Sequence, residues 1–203
     1  MFREKTMDDT DRDQLILEGI VTTVDPSDRV NIAPMGPVVD REIDRVRFRP
    51  FQTSATFRNL EQTRQGVLHV TDDVELFAQS AVDRLEGRPA MFRATAVDGY
   101  ILADACRWYA FRVESIDKRE TRAEVEVRVV DRGTQRDFFG FNRAKHAVLE
   151  AAILATRLEF TPAETMRCEF DRLAVIVKKT AGAQERNAFA LLERYVDAAL
   201  GDP

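Results

Sequence analysis

The sequence predicts a mainly β fold of the α+β class: a barrel-like antiparallel core with short interspersed helices, followed by a C-terminal three-helix subdomain. Three observations predict it. Tyr109, Phe111 and Val113 alternate with polar neighbours, and Ala123, Val125, Val127 and Val129 do the same after the polar stretch 117–121. That is the pattern of two half-buried antiparallel strands joined as a hairpin. Further strand-like runs precede it without the regular strand–helix alternation of a parallel doubly wound sheet. After Phe139-Gly140-Phe141 the hydrophobic period changes from two residues to that of a helix. The expected organisation is therefore a polar tail over residues 1–14, a barrel over 15–140 and a helical subdomain over 141–203.

In chain order, LILEGIVTTV (15–24) is rich in β-branched residues and reads as a strand. Asp25-Pro26-Ser27-Asp28 is turn chemistry, since Pro26 presets φ for the second position of a type I turn. The chain returns as VNIAPMGP (30–37), where Pro34 interrupts ladder hydrogen bonding and is expected to end or bulge the strand. Val46 and Phe48 alternate with Arg47 and Arg49 in another short strand. Thr53-Ser54-Ala55-Thr56 then precedes FRNLEQTRQ, a short helix with hydroxyl side chains at its start and Gly66 as its expected stop. VLHVTD continues as a strand. Asp72 or Asp73 caps a second helix, with Val74, Phe77, Ala78, Ala81 and Leu85 on one face, closed by Gly87 and Pro89. Near the C-terminus, Asn142 caps a helix to about Leu158 with an alanine-rich face. Thr161-Pro162-Ala163-Glu164 has the form of a capping box with proline at the first helical position. The third helix runs from about Gln184 to Leu200.

Composition narrows the function classes. At 203 residues, with 44% hydrophobic and 32% charged residues, the chain can bury a core without staples. The net charge is -5 and the two signs alternate along nearly every segment, so nucleic acid has no electrostatic footprint to bind. The two cysteines, Cys106 and Cys168, and the two histidines, His69 and His146, are scattered, giving neither a zinc site nor a disulfide framework. No apolar stretch approaches the roughly 20 residues needed to span a bilayer. A cytoplasmic protein with no membrane partner is expected.

Two segments combine strand ends with small and polar residues. In Asn31-Ile32-Ala33-Pro34-Met35-Gly36, a strand broken by proline leaves backbone N–H and C=O groups unused by the sheet, able to read the edge of a flat heterocycle. Ser54-Ala55-Thr56, with Asn59 one turn on, offers hydroxyls and free N–H groups at a helix N-terminus, suited to a phosphate. Arg49 and Arg58 flank it. The plain alternative is a hydroxyl-rich helix start acting only as a cap. No nucleophile has a partnered base, and there is neither a glycine-rich dinucleotide fingerprint nor a phosphate loop. The Asp72-Asp73 pair reads as cap and dipole residues, and no metal site is expected. An enzyme built this way must draw its chemistry from a cofactor.

The strings ILEGIVTTV…VNIAPMGP, FQTSATFRNLEQTRQGVLHVTDDVELFA and FFGFNRAKHAVLEAAILATRL, in this order, resemble domain-of-unknown-function family 447, whose members are similar to the FMN-binding split β-barrels of flavin reductases. The resemblance runs from about Leu15 through the helical region. It implies a homodimer with one FMN per subunit near the interface. It also implies that Asn31, Ala33, Pro34, Met35 and Gly36, together with Ser54, Ala55, Thr56 and Asn59, line the flavin and its phosphate, with Arg49 beside them. The FNRAK motif has no counterpart in ordinary flavin reductases. It either places Arg143 and Lys145 over the cofactor mouth or simply starts the helical cap. The expected function is that of an FMN-dependent oxidoreductase of unknown substrate, electron donor and acceptor. The alternatives are a flavin carrier or sensor without turnover, or a split barrel using another cofactor such as deazaflavin, haem or pyridoxal phosphate.

Overall fold

The computed structural model describes residues 15–201. The expected polar tail, residues 1–14, lies outside them. The described chain divides into two compact units, and the chain crosses between them more than once. The first holds the residues up to Val70, Met91–Ile101 and Arg107–Gly133; the second holds Thr71–Ala90, Leu102–Cys106 and the chain from Thr134 onward.

The first unit is built on an eight-stranded antiparallel sheet in the order β1-β4-β5-β10-β9-β6-β2-β3. These strands are β1 (Leu15–Ile16), β2 (Gly19–Val24), β3 (Val30–Met35), β4 (Val38–Val39), β5 (Arg45–Phe48), β6 (Gln65–Val70), β9 (Arg107–Asp117) and β10 (Glu124–Thr134). A second, two-stranded sheet pairs β7 (Met91–Arg93) with β8 (Tyr100–Leu102). The expected first strand is two, β1 and β2, separated by Leu17 and Glu18. The turn between β2 and β3 forms because the Asp25 carboxylate accepts the N–H groups of Ser27 and Arg29, at 2.8 and 3.0 Å.

Pro34 neither ends nor bulges its strand. β3 is an edge strand, paired with β2 from Val24↔Val30 to Gly19↔Met35, with Pro34 opposite Ile20. An edge tolerates a missing N–H on its unpaired side, so the ladder continues through the proline. The β9–β10 hairpin forms as its alternation predicts, with Tyr109, Phe111, Val113, Ala123, Val125 and Val127 all buried. Phe48 and Phe111 meet at 5.1 Å between ring centroids in a core shared with Val21, Leu60 and Leu68.

Helix α1 (Ala55–Thr63) lays Phe57 and Leu60 onto this core. It ends at Arg64, which takes the left-handed conformation (φ 59°) and gives its N–H to Leu60 O. Gly66 is therefore not the helix stop; it lies inside β6. Its role there is close approach, because a Cβ at Gly66 would come within 2.8 Å of the Phe111 ring and 3.0 Å of Thr22 O.

The second unit contains α2 (Val74–Ala81), α3 (Arg143–Ala155), α4 (Ala163–Thr180) and α5 (Ala183–Leu200). The three C-terminal helices form as predicted, and α2 packs with them. Ala144, Ala147, Ala151, Ala152 and Ala155 form a buried small-residue face on α3. That face lets Met166, Phe170 and Leu173 of α4 and Phe189 and Leu192 of α5 join one core with Val74 and Ala78. Asn142 caps α3 through Oδ1, which accepts from Ala144 N and Lys145 N. The capping box expected at Thr161 does not form. Pro162 occupies the N-cap of α4, so the Thr161 hydroxyl stands one residue too early to reach the first turn. At α5, Glu185 Oε2 instead accepts the Gly182 N–H at 2.8 Å. Among the described residues, no helix is long and apolar enough to cross a membrane.

Candidate functional site

The two segments marked in the sequence meet in the first unit. Asn31 on β3 donates from Nδ2 to Thr56 Oγ1 in the first turn of α1, at 3.0 Å. Asn59, one turn on and buried, donates from Nδ2 to Thr23 Oγ1 on β2, also at 3.0 Å. These two amide–hydroxyl bonds fix the start of α1 against the β2–β3 edge. Thr22 and Thr23 are fully buried, so the polar seam is internal to the unit, and sequence reading missed it. Their only sequence signal is a pair of threonines inside an apolar strand.

Ser54 is the N-cap of α1, and its hydroxyl is committed: Oγ accepts from Phe57 N at 3.1 Å and donates to Phe51 O at 2.8 Å. Helix geometry still leaves the N–H groups of Ala55 and Thr56 without an intrahelical carbonyl. The first turn of α1, like that of α3, contains no acidic residue, whereas α2, α4 and α5 each place a glutamate there. The positive end of the α1 dipole is thus left without a local counter-charge. Ala33, Pro34 and Met35 lie half-buried along the free edge of β3. Gly36 follows, where a Cβ would come within 2.8 Å of the Glu18 carboxylate. Arg49 is exposed and turns toward Glu124 on β10, 3.7 Å away. Arg58 donates to the Thr53 carbonyl.

Arg143 and Lys145 belong to the helical unit. Arg143 is exposed. Lys145 is turned inward: Nζ reaches Asp72 O at 2.6 Å, Gln184 Oε1 at 3.1 Å and Glu185 Oε1 at 3.0 Å. Burial pushes the Glu185 carboxyl up, but the bond from Lys145 and those from backbone N–H groups hold it below the usual range.

Beside Lys145 lies a second cluster that sequence reading missed. Asp73, not Asp72, caps α2 through Leu76 N. Asp72 is buried and accepts from Arg136 Nη2 at 2.6 Å and from Phe139 N at 2.7 Å. Burial raises its carboxyl; the Arg136 bond, the Phe139 N–H and the nearby Arg136 and Lys145 charges more than reverse this. Burial also pushes the Cys106 thiol up, which leaves it a poor nucleophile. In the first unit, burial lowers His69 to about 4 against an opposing bond between Nδ1 and Ile20 O. His69 is a neutral core residue at ordinary pH.

An edge strand with an unpaired row of backbone groups, joined to a helix N-terminus without a counter-charge, suits a ligand with a flat polar edge and one anionic group. The N-terminal domain model of DUF447, a protein family of unknown function, matches residues 17–136, and its C-terminal model matches residues 142–194. The chain belongs to the DUF447 family.

Among solved structures, an FMN-bound DUF447 protein from Methanosarcina mazei aligns with a TM-score of 0.76 at 23% identity, covering 89% of this chain and 94% of that one. A flavin reductase complexed with NADP+ aligns with a TM-score of 0.51 at 14% identity, over 63% of this chain and 82% of its own. Flavoredoxin from Methanosarcina acetivorans aligns at 0.50 with 7% identity, over 66% and 74%. This DUF447 chain has the split-barrel fold of the flavin-reductase-like proteins, with helical additions.

Proposed function

We propose that this DUF447 protein binds FMN and works as an FMN-dependent oxidoreductase. The observation that carries the reading is the start of α1: free N–H groups at Ala55 and Thr56, no acidic residue in the first turn, and the Asn31–Thr56 bond tying it to the free edge of β3. One phosphate fits the helix start, and the edge strand supplies backbone groups for the rim of a flat ring. The FMN-bound DUF447 relative supports the same ligand. In this reading the residues divide the work. Ala55, Thr56 and the Ser54-capped turn hold the phosphate, while Asn31, Ala33, Pro34, Met35 and Gly36 orient the ring. Asn59 keeps the helix in place, and Arg49 would have to leave Glu124 to add positive charge there. Arg143 offers an exposed cation for an anionic partner molecule; Lys145 serves the internal ion pair with Glu185.

FMN would supply hydride or electron transfer, which the side chains of this chain do not offer. A homodimer is part of the proposal, because an exposed edge strand is commonly covered by a partner and a symmetric pair closes it. A monomer by light scattering at micromolar concentration would count against the dimer.

The site is tested by titrating ligand-free protein with FMN and with riboflavin. Charge-assisted phosphate bonds predict FMN binding at least tenfold tighter; equal affinities would remove the α1 start from the site. Reduction of the bound flavin by NADH or NADPH, measured by stopped flow, separates an oxidoreductase from a carrier. No reduction faster than that of free FMN by either donor favours the carrier.

A further inference from the structure

A polar groove of about 520 Å³ opens at the other end of α1, lined by Arg64, Gln65, Arg112 and the loop Thr95–Asp98 among others. The helix is nine residues long, so the groove lies about 13 Å along its axis from Ser54. Its volume falls within the range of small-molecule sites.

The two arginines of the groove are both held by backbone carbonyls. Arg64 Nη2 donates to Val113 O and Glu114 O, at 3.3 and 3.2 Å, and Arg112 Nη2 donates to Ala96 O at 2.9 Å. Carbonyls fix a guanidinium without cancelling its charge. Other guanidinium groups meet carboxylates, as in Arg47–Glu126, Arg93–Asp28, Arg128–Glu114 and Arg136–Asp72, while Arg58, Arg122 and Arg186 donate to carbonyls outside the groove. Among the described residues, neither Arg64 nor Arg112 has a carboxylate within ion-pair distance. Arg64 also stands in a left-handed helix-terminating position, where glycine is the low-cost residue. Terminating the helix therefore does not explain an arginine there.

The loop contributes too. Ala94 N–H to Gly99 O, 2.9 Å, closes it, while the N–H groups of Ala96, Val97 and Asp98 have no acceptor among the described residues. Its one acidic group, Asp98, accepts from Gln65 Nε2 at 3.2 Å. Arg64 and Arg112, the Asp98 carboxylate and free amides make the lining hydrophilic, and the Asp131 carboxylate accepts from the Thr95 hydroxyl at 3.5 Å.

We propose that this groove is a second ligand site, separate from the β3–α1 site, for a small hydrophilic anion. A carboxylate or phosphate group is held by Arg64 and Arg112, and a hydroxyl of the same molecule donates to Asp98.

The test is a titration of the full-length ¹⁵N-labelled protein with glycerol 3-phosphate, with malate and with inorganic phosphate, against chloride at matched ionic strength. The expected result is saturable shifts at the Ala96, Val97 and Asp98 amides and at Nε of Arg64 and Arg112, with glycerol 3-phosphate or malate. Whichever binds more tightly identifies the anionic group. Arg112→Gln is expected to weaken binding at least tenfold and Arg112→Lys severalfold less, with melting temperatures close to the parent's. Asp98→Asn, which removes a like charge, is expected to tighten inorganic phosphate severalfold. Shifts that chloride reproduces, shifts confined to Ala55 and Thr56, or binding that Arg112→Gln leaves unchanged would overturn the proposal.

Discussion

Acidification tests the account of the core through His69. The ring is fully buried on β6, and burial holds its pKa at about 4, against 6.5 for the free side chain. The unfolded chain therefore takes up a proton between pH 6.5 and 4 that the folded chain refuses. Stability rises with pH wherever the unfolded state binds more protons, so the His69 contribution is intact above pH 6.5 and is lost as pH falls toward 4. The gap of roughly 2.5 pH units, at about 1.4 kcal/mol per unit, makes that loss about 3 kcal/mol. Because acidic groups such as Asp72 and Glu185 also weaken the fold at low pH, the measurement is a difference. Urea unfolding is followed from pH 7 to pH 4 for the parent and for His69→Gln, which keeps a donor for Ile20 O. The stability difference between the two is expected to shift by about 3 kcal/mol over that interval. A difference that stays flat from pH 6.5 to pH 4.5 would refute the buried neutral imidazole.

The remaining expectations concern single contacts. Ser54→Ala removes a helix cap and is expected to cost about 1 kcal/mol in urea unfolding while barely changing FMN affinity, because Oγ already serves Phe57 N and Phe51 O. Ser54→Ala with Thr56→Ala is expected to weaken FMN at least tenfold in a fluorescence titration, since even one charged hydrogen bond exceeds the roughly 1.4 kcal/mol that tenfold requires. An unchanged affinity would make the α1 start a cap and nothing more. Asp72→Asn leaves Arg136 facing an amide donor and is expected to cost about 3 kcal/mol. Asp104→Asn, which touches the same arginine from an exposed position, is expected to change stability by no more than about 0.5 kcal/mol. Equal effects of the two would show that the Asp72 pair is not the buried member.

Local patterns were the readable part of this sequence. The β9–β10 hairpin, the hydroxyl-rich start of α1 and the Asn142 cap each depend on residues a few positions apart, and each formed as expected, with Ser54 as the cap of α1. Gly66 was misread because glycine serves both helix ends and crowded strands, and the ring that crowds it comes from Phe111 on β9. Pro34 was misread because edge position is a property of the whole sheet, not of the strand. The apolar face of α2 was visible, but a stripe does not specify its partner, and that partner proved to be the helical core. The Asp72–Arg136 pair joins residues 64 positions apart, beyond any local signal. At the candidate site, Ser54, Thr56 and Asn59 stood out as polar residues at a helix start. Their partners Asn31 and Thr23 reach them only through the folding of the β2–β3 hairpin against α1.

The claim on which the functional reading rests is the identity of the small molecule held at the β3–α1 edge. The direct measurement is a visible spectrum of the purified protein, followed by heat release and mass spectrometry of the ligand. The expected result is an oxidised-flavin spectrum and FMN as the released species, about one per chain. Stoichiometric FAD, deazaflavin, haem or pyridoxal phosphate would contradict it, because the α1 start offers one phosphate a place beside a flat flavin ring.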